Sequence, residues 1–298
     1  MAQTKIVSGY PALIIDSDEK SLVITDLHLG FESKLALNNV FLGKNKPVNE
    51  IMNDVEHLIT KTKPDSLILL GDVKSGIKSI TKAEWDTVPV FFENMNKLID
   101  TTLVPGNHDA NIEKLIPNGI TVAGSKGIII DDILLTHGHT MPTENFSQVN
   151  TIVMGHVHPV FFQEESLING ERVWASIKCE KQKIFVSKSG ELELIILPSF
   201  NKYLYTTQKK FYKKSISPII EKMDVIKAKI VTLDGMIIGD EQLLSSVIYP
   251  SIYGCKEFFD VSFFCNHSNV LTNDSANSIV ERTGIPNSND FLRIWYSS

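Results

Sequence analysis

Cysteine is scarce in this chain of 298 residues. Cys179, Cys255 and Cys265 form an odd set with no C-x-x-C pair, which argues against a disulfide framework and fits a reducing compartment. Cys255, Cys265 and His267 lack a fourth ligand, and their nine-residue gap matches no common zinc spacing, so they read as small buried residues. Arginine is equally sparse: Arg172, Arg282 and Arg293 offer few planar forks for two-pronged phosphate recognition. The 29 basic residues are outnumbered by 35 acidic ones, and the net charge of −6 excludes polyanion binding by bulk electrostatics while leaving room for a local basic patch. Long apolar runs are missing too. "SLVIT" and "SLILLGDV" fall far short of the roughly 20 residues a membrane helix needs. The start, "MAQTKIVSGY", lacks the charged head and apolar stretch of a secretory signal, so a cytoplasmic protein with no membrane partner is expected.

The remaining composition, 43% hydrophobic and 21% charged, is that of a globular protein with a sizeable core, large enough for one domain or a domain with an appendage. Short β-branched or apolar runs bounded by polar turns read as strands: "ALIID", "SLVITD", "DSLILLGD", "DTTLVPGN", "GITVAG", "GIIIDDILLTHG", "TIVMGH" and "KIFVS". Between them, residues 48–62 place Ile51, Val55, Leu58 and Ile59 on one helical face, and residues 83–100 do so less cleanly because of Pro89. Strand and helix alternate at first, and strands dominate from about residue 120, so an α/β architecture with a second sheet packed on the first is expected. A break is expected near "LPSF" (197–200), giving a domain over 1–200 and an extension over 201–298. The extension opens with a basic and aromatic linker, 201–214, and ends in an Asn- and Ser-rich appendage that retains aromatic residues.

Five short polar clusters stand immediately after predicted strands. They are "TDLHLG" with Asp26 and His28, "LGDVK" with Asp72, "PGNHDA" with Asn107, His108 and Asp109, "THGH" with His137 and His139, and "MGHVHP" with His156 and His158. Each alone is an ordinary turn, cap or edge pair. Together they put carboxylate, amide and imidazole groups at matching positions, and open α/β sheets bind ligands where strands end. On an extended segment, Asp26 and His28 would leave the same face, as would His156 and His158. Two carboxylates, an amide oxygen and four imidazoles can serve two adjacent metal ions if one carboxylate bridges. The mixed oxygen and nitrogen donors favour Mn²⁺, Fe or Zn²⁺ over Mg²⁺ or Ca²⁺.

These clusters, in this order from 26 to 158, resemble the calcineurin-like metallophosphoesterases, whose pattern runs D-x-H, G-D, G-N-H-[DE], H and G-H-x-H. "DLHLG", "LLGDVK" and "LPSF" are similar to the archaeal-type branch related to Mre11 and SbcD nucleases, and the likeness spans about residues 5–200. The resemblance implies two mixed β-sheets flanked by helices, a four-layer α/β-β/α sandwich, and hydrolysis of phosphoesters with two divalent ions. It implies two divalent ions, Mn²⁺ in the first place and Fe or Zn²⁺ as alternatives, with Asp26, His28 and His158 on one, Asn107, His137 and His156 on the other, and Asp72 bridging. It further implies that His108 faces substrate and that Asp109 orients its ring, with His139 either behind the ligands, near substrate or structural. After the G-D block, Val73, Lys74, Ser75 and Gly76 replace the Phe or His common in Mre11-type nucleases, so a nuclease does not follow directly; Lys74 reads as a phosphate contact or as a solvated lysine.

Within that class a phosphodiesterase on nucleic acid or nucleotides leads. Lys202, Lys209, Lys210, Lys213 and Lys214 interleave with Tyr203, Tyr205, Phe211 and Tyr212 in a composition suited to backbone contact and base stacking, and somewhat better to a solvated amphipathic linker. A phosphomonoesterase is the alternative, and a scaffold that kept the fold without catalysis is a third reading.

Overall fold

The alternating runs of the first 122 residues build a six-stranded sheet in the computed structural model, which describes residues 2–36, 42–43, 45–163, 165–204 and 217–248. All of these belong to one unit spanning 1–254. The strands lie in the order β1 (Gln3–Ile6), β2 (Leu13–Asp16), β3 (Lys20–Ile24), β4 (Ser66–Leu69), β5 (Asp100–Leu103) and β6 (Thr121–Val122). The first three pair antiparallel; from β3 onward the pairing is parallel. β3 and β4 are buried on both faces, which is why they read as continuous apolar runs rather than alternating ones.

Helices supply the parallel crossovers. After the short α1 (Glu32–Ala36), α2 (Lys46–Thr62) starts with Pro47 in its first turn and buries Val48, Ile51, Val55 and Leu58 along one stripe. α3 (Lys82–Leu98) begins at a capping box of Thr81 and Glu84 and continues past Pro89. The ring removes one helix hydrogen bond, but Val88, Phe91, Phe92 and Met95 around it are fully buried, and that burial outweighs the local penalty.

The second sheet has seven strands: β7 (Ile128–Ile130), β8 (Ile133–Thr136), β9 (Thr151–Met154), β10 (Val173–Glu180), β11 (Glu191–Ile196), β12 (Val225–Thr232) and β13 (Ile237–Gly239). They run across the sheet as β13-β12-β10-β11-β9-β8-β7, with β8, β9 and β11 parallel. Two short helices, α4 (Lys181–Ile184) and α5 (Pro218–Lys222), pack on it.

Three expectations change here. "GIIIDDILLTHG" is two strands, because Asp131 turns with φ 52° and pairs Ile130 with Ile133 across a two-residue loop. "KIFVS" is helical at its start: Phe185 N–H donates to Lys181 O, and this turn buries Ile184 and Phe185 together while Val186 stays exposed. The sheet also continues past the break placed at 200, since β12 pairs with β10 over most of its length. Alternating burial in β12 hides Ala228 and Ile230 while Lys227 and Lys229 face outward, a pattern that lysines disguise in the sequence. The appendage expected over 250–298, with Cys255, Cys265 and His267, lies outside the described residues.

Three apolar layers hold the sandwich together. Phe91, Phe92, Val55 and Leu58 cover one face of the first sheet, and Phe185, Ile219 and Ile220 cover one face of the second. Between the sheets, Leu13, Ile15, Val23 and Ile68 share a core with Leu135, Val153, Trp174 and Ile195. The result is the expected α/β-β/α arrangement, with helices outside and two mixed sheets inside. Among the described residues no helix is long and apolar enough to cross a membrane.

Trp174 is the largest side chain in that central layer and is 1% exposed. Trp174→Ala is expected to cost about 3–5 kcal/mol, the range for truncating a large buried aromatic. Urea unfolding followed by circular dichroism measures it; a loss below about 1 kcal/mol would show that the two sheets do not depend on this contact.

Candidate metal centre where the two sheets meet

All five polar clusters leave the carboxyl ends of parallel strands: β3, β4 and β5 in the first sheet, β8 and β9 in the second. Backbone bonds then lock the loops side by side. Asp26 N–H donates to Gly71 O at 3.1 Å, and His28 N–H to Asp72 O at 2.9 Å. The carboxylates reach further: Asp26 Oδ2 accepts His156 N–H at 3.0 Å, and Asp72 Oδ1 accepts His108 N–H at 2.8 Å. Asp26 therefore ties a first-sheet loop to a second-sheet loop, 130 residues apart in sequence.

The local backbone is not the extended one that D-x-H and H-x-H spacing suggests. Asp26, His28, Asp72, His156 and His158 all have positive φ, between 44° and 68°. That region costs non-glycine residues energy and persists only where surrounding contacts enforce it, typically at functional sites. The side chains still converge, by left-handed turns rather than by pleating. Close approach also demands glycine at two places without unusual φ. A Cβ on Gly106 would stand 2.2 Å from Asp72 Oδ1, and one on Gly155 would stand 2.0 Å from Thr25 Oγ1.

Three overlapping trios result, each with ligand atoms within 4.8 Å of one another: Asp26, His28 and His158; Asp72, His137 and His156; and His28, Asp72 and His108. Asn107 joins the second, its Oδ1 lying 3.3 Å from His137 Nε2. Asp72 belongs to two of the trios. His137 Nδ1 lies 2.7 Å from Leu70 O and His108 Nδ1 lies 2.6 Å from Ser75 O. A carbonyl can only accept, so each Nδ1 carries the proton and each Nε2 points into the site. His137 Nε2 sits 3.3 Å from Asp72 Oδ1, and His108 Nε2 sits 3.8 Å from Asp72 Oδ2.

The electrostatics call for added positive charge. Burial opposes ionisation of Asp26, yet His158 and His137 beside it hold its carboxyl at about 2; Asp72 is likewise held well below the usual range by His137, His28 and His108. Burial also works against an imidazolium at His137, but Asp72 and Asp26 lift it to about 9, while burial dominates at His28 and lowers it to about 3. Two nearly solvent-free carboxylates thus draw protons onto neighbouring imidazoles. Asp26 Oδ1 and His28 Nε2 are buried with no hydrogen-bond partner, atoms of the kind a cation would satisfy. The donor set therefore fits divalent ions.

Three other expected roles fare differently. Asp109 is buried, and its carboxylate accepts Val73 N–H at 2.9 Å, Lys74 N–H at 3.3 Å and Gly106 N–H at 2.8 Å. It clamps two site loops together instead of orienting the His108 ring, which Ser75 holds. Burial and Asp72 raise its carboxyl to about 6. Lys74 is neither a phosphate contact nor solvated: it is 0% exposed and donates Nζ to Gly76 O. His139 lies beside the ligands, with its ring centroid 5.3 Å from that of His137, and burial lowers it to about 4. The sequence reading missed the Ser75 carbonyl and Glu84, whose carboxylate holds the Ser75–Gly76 turn. T-K-A-E over 81–84 is a visible capping signature, but nothing in it points to the site.

Residues 20–184, more than half of the chain, match the family model of the calcineurin-like phosphoesterases. The chain belongs to that family, and it is a phosphoesterase. No curated protein matches it. Among solved structures it is similar to the nuclease MPE of Pseudomonas putida, at 16% identity over 79% of this chain and 100% of that one, with a TM-score of 0.47. The phosphoesterase Yfce of E. coli is 16% identical over 75% and 98%, with a TM-score of 0.35. A conserved uncharacterized protein of Streptococcus pneumoniae, described as a predicted phosphoesterase, is 13% identical over 75% and 94%, with a TM-score of 0.27.

Two outcomes follow from this geometry. Because Asp72 and Asp26 hold His137 protonated up to about 9 and a cation must displace that proton, Mn²⁺ binding is expected to release protons and to tighten as pH rises from about 6 to about 8. Calorimetry in buffers of different ionisation enthalpy reads this; proton uptake, or none, would refute it. Gly106→Ala is expected to weaken Mn²⁺ affinity at least about tenfold, on the scale of disturbed support around metal ligands, by displacing the Asp72 carboxylate. Unchanged affinity would show that the loop yields.

Proposed function

We propose that the chain hydrolyses phosphodiesters of nucleic acids or nucleotides using two divalent cations, Mn²⁺ being the best candidate, with Fe or Zn²⁺ as others. Asp26, His28 and His158 would hold one; Asn107, His137 and His156 the other; Asp72 would serve both. Two separate trios, Asp26 with His28 and His158 and Asp72 with His137 and His156, carry this reading, with Asp72 Oδ2 also lying 3.5 Å from His28 Nε2 of the first. Divalent ions supply Lewis acidity toward phosphoryl oxygens and lower the pKa of water.

The chain's own groups then divide the remaining work. Asp26 and Asp72 contribute two negative charges against four positive ones, a local surplus that favours a phosphate on a chain of net charge −6. His108, its Nδ1–H committed to Ser75, presents Nε2 to the cluster of His28 and Asp72 and is placed to steady phosphoryl charge or protonate the leaving oxygen. Such a group is typically worth about 10²- to 10⁴-fold in rate. His139, half-buried beside His137, borders the space a substrate would occupy.

The preference for a polymeric or nucleotide diester draws on connectivity. Asn201 Nδ2 donates to Leu27 O at 2.8 Å, and Ser217 Oγ donates to Gly138 O at 2.7 Å. Residues 205–216 lie outside the described residues; in sequence they contain Lys209, Lys210, Lys213 and Lys214 and fall between Asn201 and Ser217, the two residues bonded to site loops. Lys202, before it, pairs with Glu50 at 2.9 Å and lies over the Tyr203 ring, so its ammonium already has partners. The 1–200 and 201–298 partition survives in this proposal only as a division of labour, with catalysis in the first part and substrate contact in the stretch after 204.

With Mn²⁺, bis(p-nitrophenyl) phosphate is expected to be cleaved faster than p-nitrophenyl phosphate, and His108→Ala should lose about 10²- to 10⁴-fold in kcat while still binding two ions. A faster monoester would convert the reading to a phosphatase. No turnover of either with both ions bound would leave only a scaffold.

A further inference from the structure

The peptide unit joining Ser75 to Gly76 has a partner on each side. Its carbonyl accepts the Nδ1–H of His108 at 2.6 Å, and its N–H donates to Oε1 of Glu84. In a trans peptide these two groups point in opposite directions, so whatever pins the N–H also aims the carbonyl.

Glu84 is 0% exposed, on the first turn of α3. One oxygen has an ordinary structural duty: Oε2 accepts Thr81 N–H at 2.6 Å, and Thr81 Oγ1 accepts Glu84 N–H at 3.3 Å, closing the capping box. The cap requires nothing of Oε1, which reaches out of the helix to Gly76. Lys74 holds the next carbonyl, on Gly76, and its buried ammonium is attracted by the charges of Glu84, Asp109 and Asp72. Two glycines clear the seat. A Cβ on Gly76 would lie 3.1 and 3.2 Å from the Glu84 oxygens and 2.7 Å from Ser79 O, and a Cβ on Gly30 would lie 2.8 Å from Glu84 Cγ.

We propose that Glu84 is a positioning residue for His108, acting through the Ser75–Gly76 peptide so that carboxylate, amide and imidazole form one hydrogen-bonded chain. The inference rests on the role given to His108 above. Bonds to a charged acceptor are stronger than neutral ones, and bonds in series polarise one another. The carboxylate thereby strengthens the carbonyl as an acceptor, keeps the proton on Nδ1 and fixes the direction in which Nε2 faces. This is the service a carboxylate usually gives a functional imidazole by direct contact, delivered here across one peptide bond.

Glu84→Gln keeps the shape but removes the charge and leaves one acceptor oxygen for the two N–H groups of Gly76 and Thr81; Thr81→Ala breaks only the other half of the cap and serves as the control for it. With bis(p-nitrophenyl) phosphate and Mn²⁺, Glu84→Gln is expected to lower kcat about tenfold with KM little changed, whereas Thr81→Ala lowers the unfolding midpoint and leaves kcat intact. On a His108→Ala background Glu84→Gln should have no further effect on kcat, as for residues acting as a unit. In the metal-free protein, the Nδ1 proton of His108, recognised by its absence in His108→Ala, should move upfield in Glu84→Gln and stay in place in Thr81→Ala. Wild-type kcat in Glu84→Gln, an equal loss on both backgrounds, or an unmoved resonance each overturns the relay. If Glu84→Gln does not fold, Glu84→Asp, which shortens the reach to Gly76 and keeps the charge, should show the same loss and shift, and wild-type values there overturn it too. Absence of diester cleavage by the wild type would defeat the proposed function instead, and the resonance comparison would still decide the relay.

Discussion

Asp26 and Asp72 are 0% and 2% exposed, and a single imidazole nitrogen, Nε2 of His28, stands 4.0 Å from one and 3.5 Å from the other. Burying two carboxylates so close together is costly unless positive charge and hydrogen bonds surround them. The site is arranged around that constraint. Asp26 takes a backbone N–H from the His156 loop on Oδ2 and has His158 Nε2 at 3.1 Å from Oδ1, the oxygen left without a hydrogen bond, while Asp72 takes a backbone N–H from the His108 loop and lies 3.3 Å from His137 Nε2, both on Oδ1. Each carboxylate holds loops together while keeping an oxygen for a cation.

The rest of the fold sustains this arrangement mechanically. Five site residues sit in left-handed backbone, and such positions cost on the order of 1–3 kcal/mol each where nothing compensates. The compensation is the layered core, with Trp174, Ile195 and Val153 facing Val23, Ile15 and Ile68, which brings the carboxyl ends of both sheets to one edge. Glycine at 106 and 155 lets the loops approach to distances at which any side chain would collide with Asp72, Thr25 or Asp26. Strain at the site and packing beneath it are two sides of one design: strongly buried strands tolerate weakly favoured turns at their ends.

Two further carboxylates show how position, rather than residue type, assigns a role. Asp109 is adjacent in sequence to His108, yet its oxygens face the N–H groups of Val73, Lys74 and Gly106. Glu84, 24 positions before His108 and on another element, reaches the peptide that holds the imidazole. Adjacent side chains in a turn diverge, while a helix N-terminus packed under the loop delivers its carboxylate to the same place.

Much of the fold and of the ligand set could be read from residues alone, because these features depend on local chemistry. An apolar run followed by Gly, Asp, Asn or His marks a strand and the turn after it, so β3, β4, β5, β8 and β9 and the candidate ligands at their ends were visible together. The hairpin at Asp131, the helical turn at 181–184 and the strands beyond residue 200 were hidden, since each depends on which face meets a neighbour rather than on composition. Chain chemistry thus set which groups would hold a cation and in what order they come. Packing set how they meet: through left-handed turns, with Asp72 in common and with Ser75 rather than Asp109 against His108, because distances across loops up to 130 residues apart exist only once two sheets have closed on each other.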